Sequence, residues 1–111
     1  MGTKIIHVEV VGSDGAALQD FYSKVFGWSL NTDNPGGYGL YREGELTAGV
    51  GAAQGGQPGH VTFYVHSDDP KGTLAQVEAN GGRVIMPLTE VAPETTIALF
   101  SDPEGHVVGL M

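Results

Sequence analysis

Residues 4–14, KIIHVEVVGSD, and residues 60–69, HVTFYVHSDD, are two versions of one sentence, and reading them together decides the fold. Each begins as a short alternating run rich in β-branched and aromatic side chains, the pattern of a strand. Each carries a histidine, His7 or His60, followed by valine, and each passes into a Ser-Asp turn, Ser13-Asp14 or Ser67-Asp68. Serine and aspartate there are helix-capping residues, because a side-chain oxygen can accept from the free N–H groups of a first turn.

The expected helices follow. Over residues 15–26, Leu18, Phe21, Tyr22, Val25 and Phe26 recur at i, i+3, i+4, i+7 and i+8, one apolar face of an amphipathic helix, and Gly27 ends it. In the second half Ser67-Asp68-Asp69-Pro70 caps a helix with proline at its first turn, Leu74 and Val77 share a face over residues 71–80, and Gly81-Gly82 stop the helix. Three strands are expected after each helix: near Trp28–Asn31, Tyr38–Arg42 and Leu46–Val50, then near Arg83–Pro87, Thr95–Phe100 and His106–Met111. Residues 51–59, GAAQGGQPG, lack any period and read as a linker. The chain therefore reads as one α+β domain over residues 1–111, with βαβββ modules at about 4–51 and 60–111 and a linker at 52–59. A repeat of this length points to a supersecondary unit that cannot bury its own face alone.

Composition narrows the function. The 111 residues hold 5 Lys+Arg against 13 Asp+Glu, a net charge of -8. Five scattered cations cannot form the basic footprint that nucleic acid requires, nor hold an anionic membrane surface. With no cysteine there is no thiol catalysis, thiolate metal site or disulfide. The N-terminal residues enter a strand without a charged-then-apolar signal segment, so a cytoplasmic protein is expected.

Phe21-Tyr22, Phe26-Gly27-Trp28 and Asp102-Pro103-Glu104-Gly105, set in this repeat, resemble the vicinal oxygen chelate superfamily, which includes glyoxalase I, bleomycin-resistance proteins and extradiol dioxygenases. The resemblance covers the whole chain. It implies paired modules forming a cup-shaped, mixed eight-stranded sheet with helices outside, a small-molecule ligand in the cup, and a homodimer. It also implies a divalent metal (Ni, Mn, Fe or Zn) held by His7 and His60 together with a carboxylate from the last strand of each module. Here the sequence departs from the pattern, because Gly109 stands at the last-strand position and Gly49 in the matching stretch of the first half.

Strand alternation places His7, Glu9 and Val11 on one face of the first strand, with Ile6, Val8 and Val10 on the other. In the second half His60, Thr62, Tyr64 and His66 oppose Val61, Phe63 and Val65. The apolar sets are expected under the helices and the polar sets along the cavity. Glu9 lies about 7 Å along the strand from His7, as a replacement ligand or a catalytic general base. Thr62, Tyr64 and Trp28 are the candidate ligand contacts, Trp28 by stacking on a flat molecule or by filling core. Phe21 is expected in the core, and His66 and His106 in turns.

Three functions fit. One is a module that binds a cationic or aromatic molecule without chemistry, favoured by glycine opening space where a metal would sit. The second is a metal-dependent lyase, isomerase or dioxygenase using His7 and His60. The third is metal-free acid–base catalysis by Glu9 with Tyr64 or a histidine.

Overall fold

The computed structural model describes residues 2–53 and 58–111. Residues 54–57 of the expected linker lie outside them. In order the elements are β1 (Ile5–Gly12), α1 (Gly15–Phe26), β2 (Gly39–Glu43), β3 (Leu46–Ala52), β4 (His60–Val65), α2 (Pro70–Ala79), β5 (Arg83–Ala92), β6 (Thr95–Ser101) and β7 (Val107–Leu110). The class is α+β, with parallel and antiparallel strand pairs.

Contacts group the chain into two compact units, Ile6–Val61 and Thr62–Met111, the second joined by the N-terminal residues up to Ile5. In the first, β1 runs parallel to β3, and β3 pairs antiparallel with β2. In the second, β4 runs parallel to β7, and β7, β6 and β5 form an antiparallel meander. Each half thus places its opening strand beside its closing one, as the repeat requires.

Both helices begin on the residues that the capping chemistry selects. Asp14 Oδ1 accepts from the Ala17 N–H at 3.0 Å, and Asp69 Oδ1 from the Gly72 N–H at 3.2 Å. Gly27 closes α1 with φ +71°, a left-handed conformation that a Cβ would disfavour. The second helix stops one residue before the expected glycines, with Asn80 as its cap.

The expected eighth strand near Trp28–Asn31 is reduced to a single bridge between Asn31 and Leu40, so the described residues hold seven strands. Aromatic packing explains the difference. Trp28 stacks nearly parallel on Tyr22 and on Tyr41, with centroids 5.8 and 5.4 Å away, and meets Phe26 at 5.4 Å. The segment is held by its indole ring together with the paired Asn31–Leu40 backbone hydrogen bonds.

Burial corrects a second expectation. On β1 the polar set is the buried one: His7, Glu9 and Val11 are 6–9% exposed, while Ile6, Val8 and Val10 are half-buried. On β4, Thr62 and Tyr64 are buried, while Val61 is 75% and Phe63 39% exposed. The apolar strand faces are therefore not sealed under helices. Nor is Phe21 a core residue, since it, Val25 and Phe26 are all more than half exposed. Ala48 and Val50 of β3 are buried in the first unit, and Leu74, Ala98 and Leu110 form the core of the second, with Val84, Leu88 and Phe100 packed on it.

Candidate functional site

The polar face of β1 is buried because a loop residue covers it. Tyr38, just before β2, reaches over β3 and sets its hydroxyl between two β1 side chains, 2.9 Å from His7 Nε2 and 2.8 Å from Glu9 Oε1. The other oxygen of Glu9, Oε2, accepts from His60 Nε2 at 2.7 Å, and His7 Nδ1 lies 2.5 Å from Thr47 Oγ1. Thr47, His7, Tyr38, Glu9 and His60 thus form one continuous hydrogen-bonded chain within the Ile6–Val61 unit.

Counting protons along this chain orients it. A carboxylate only accepts, so the Tyr38 hydroxyl donates to Glu9 and His60 Nε2–H donates to the other oxygen. The phenol has one proton, so it must accept from His7 Nε2–H. His7 is then the Nε2–H tautomer, and its Nδ1 accepts from the Thr47 hydroxyl. The Thr47 hydroxyl also lies 3.3 Å from the Ile6 carbonyl, a second acceptor for its proton, and the two Glu9 oxygens accept from a phenol and an imidazole.

Burial disfavours the imidazolium and holds the His7 pKa below the usual histidine value, an effect that the nearby Glu9 charge only partly opposes. The sign of the pH dependence follows. Below about pH 6.5 the unfolded chain takes up a proton at this residue that the folded chain resists, so stability falls as pH drops through that value. Below the depressed folded pKa the loss stops growing. Between about pH 7.5 and 5.5 the melting temperature should therefore fall more in wild type than in His7→Gln, which cannot titrate. Equal slopes for the two proteins would remove His7 from the account.

The glycines that sequence reading marks as missing carboxylates are occupied, not open. A Cβ at Gly49 would overlap the hydroxyl and ring of Tyr38, and one at Gly109 would overlap the ring of Tyr64. Register also moves the correspondence. Gly49 faces Glu9 across the β1–β3 ladder, whereas Gly109 faces Tyr64 across β4–β7. With His7 matched to His60, Tyr64 matches Val11, and the partner of Val11 is Gly51. Gly51 is therefore the register equivalent of Gly109, and each lies beneath a tyrosine ring.

Thr62 donates its hydroxyl to the Val107 carbonyl at 2.6 Å, Tyr64 is 4% exposed over Gly109, and Trp28 belongs to the aromatic stack. Near turns, His66 pairs with Asp68 and His106 with Asp102, each at 2.9 Å. Tyr38 is the residue that sequence reading passes over.

The metal expectation meets this donor chemistry badly. Among the described residues no group of three His, Cys, Asp or Glu side chains is arranged to hold an ion. Both His7 nitrogens and both Glu9 oxygens are engaged with protein partners, and Tyr38 fills the room above Gly49. The residues do not fit a divalent ion.

The comparisons agree with the fold. The chain belongs to the Glyoxalase/Bleomycin resistance protein/Dioxygenase superfamily, whose family model matches residues 4–110. Among curated proteins it is similar to a putative glyoxylase, CFP32, of Mycobacterium bovis, 32% identical over 93% of this chain and 43% of that protein. It is also similar to the anthracycline biosynthesis protein DnrV of Streptomyces peucetius, 33% identical over 83% of this chain and 40% of that one. The chain thus spans well under half the length of these relatives. Among solved structures, a Streptomyces coelicolor methylmalonyl-CoA epimerase in complex with 2-nitronate-propionyl-CoA superposes with a TM-score of 0.62 over 97% of this chain and 95% of that one, at 16% identity. Members of the superfamily bind small-molecule ligands. No helix among the described residues is long and apolar enough to cross a membrane.

Proposed function

We propose that this chain is a small-molecule-binding domain of the superfamily, one domain of two modules, which takes its ligand against Glu9, Tyr38 and His60. A single observation carries the reading: Glu9, 9% exposed, is a buried carboxylate whose two oxygens accept from the Tyr38 phenol and from His60 Nε2–H, groups that a ligand can join or replace. Such a group favours a ligand that brings the positive charge or the donor protons. The net charge of -8 raises the local concentration of cations and supports the same choice. The side chain of His60, 21% exposed against 11% for Glu9, is the more accessible end of the hydrogen-bonded chain. Glu9 is the group that pairs with the ligand, and in a catalytic version it is the general base, with the Tyr38 phenol as its proton partner. Trp28, Thr62 and Tyr64 stay with packing in this reading. A homodimer belongs to the same proposal, and exposed Phe21, Val25 and Phe26 on α1 offer it apolar surface.

Thermal shift against a library of cationic and aromatic small molecules tests the reading. A ligand present at about one hundred times its Kd stabilises the folded state by about 2.7 kcal/mol, a rise of roughly 10 °C for a domain of this size. The shift should vanish in Glu9→Gln. A library without a hit, or a hit indifferent to Glu9→Gln, rejects the proposal.

A further inference from the structure

We infer that Tyr38 stands in place of a metal: its hydroxyl bridges His7 and Glu9, and its side chain keeps divalent ions out of this chain. The phenol oxygen lies within 2.9 Å of a histidine nitrogen and a carboxylate oxygen at once, the two kinds of donor that a divalent ion would seek. It bridges both as a neutral group, in the place where an ion joining them would have to sit.

The residue and its loop are anchored from three sides. The Asn34 side chain clamps the Tyr38 backbone, accepting from its N–H at 3.0 Å and donating to its carbonyl at 2.7 Å. Gln19 Nε2, on α1, donates to the Gly37 carbonyl and to the Val50 carbonyl, each at 2.8 Å, tying the loop to β3. Beneath the ring, Gly49 and Gly51 leave the floor of β3 bare, and a Cβ at Gly51 would already come within 3.1 Å of the ring. Side chains two apart on a strand share a face, so both glycines serve the same ring. A contact fixed by a helix, a loop and a strand at once is not one that an incoming ion displaces cheaply.

The inference is independent of the ligand reading, because it concerns only the ion. Tag-free protein, stripped with a chelator and titrated with Co(II), provides the test through visible absorption and equilibrium dialysis. Wild type should show no His7-dependent uptake at about 0.1 mM ion, a concentration that would reveal even modest affinity. Tyr38→Ala removes the phenol from between His7 Nε2 and Glu9 Oε1 and should bind Co(II) at least roughly tenfold more tightly than wild type, about 1.4 kcal/mol. The double variant His7→Ala, Tyr38→Ala should lose that gain. Gly49→Ala, which pushes the phenol away from below, should gain uptake by a second route. Wild-type binding abolished by His7→Ala overturns the inference, and this arm stands even if the variants fail to fold. Folded Tyr38→Ala and Gly49→Ala proteins that take up no more ion than wild type overturn it as well. The melting-temperature screen is run without metal, so either idea can fail alone.

Discussion

Gly109→Glu, the change that would restore a last-strand carboxylate, should lower the melting temperature by about 10 °C or more and create no metal site. The first carbon added at residue 109 would land in the ring of Tyr64, which is 4% exposed and sits across the parallel β4–β7 ladder. A close-packed interior answers such an intrusion with shifted rotamers and backbone, typically about 1–3 kcal/mol, and a charged carboxylate adds the penalty of burial without a partner. The total is expected at about 3 kcal/mol. Tyr64→Ala should cost stability alone but recover part of the loss when combined with Gly109→Glu, because the two changes share one volume. Strictly additive losses in chemical denaturation would mean that ring and glycine are not coupled.

That coupling marks the limit of what was legible in the sequence. The fold was largely readable. Alternation in KIIHVEVV and HVTFYVH, Asp14 and Asp69 at helix starts and Gly27 at a helix end are local signals, and local physics decides them. The segment at Trp28–Asn31 was misread because its conformation depends on Tyr22 and Tyr41, which no window around residue 28 contains. The same holds for Phe21. Its helical spacing is that of a core-facing stripe, but periodicity reports which residues share a face and not whether anything covers it.

The site was half legible. Strand alternation correctly put His7 and Glu9 on one face, and matching the repeats singled out His60. What the sequence could not supply is the loop that closes over them. Gly49 and Gly51 were the available clue, since two glycines at i and i+2 on one strand face leave a trough that some bulky side chain must fill. Read as lost ligands, they hide the Tyr38 ring that lies in the trough. Asn34, four residues before Tyr38 in a turn, was the companion clue, because asparagine commonly bonds backbone groups nearby in turns.

Glu9 carries the other large expected effect, and two substitutions separate its roles. Glu9→Ala should destabilise the protein by about 2–4 kcal/mol, because it leaves the Tyr38 hydroxyl and His60 Nε2–H without their acceptor and opens a void between them. Glu9→Gln retains one acceptor oxygen for the phenol. Its amide can face His60 once that ring moves its proton to the other nitrogen, so the loss should be only about 1 kcal/mol. If Glu9 serves structure alone, Gln restores the melting temperature and the ligand response together. If Glu9 pairs with a cationic ligand or accepts its proton, Gln restores stability while the ligand-induced shift stays absent, because the amide has neither the charge nor the basicity. The second pattern is expected. Parallel melts of wild type, Glu9→Gln and Glu9→Ala, each with and without the best compound of the screen, distinguish the two, and full recovery of the shift in Glu9→Gln would return this carboxylate to a purely structural part.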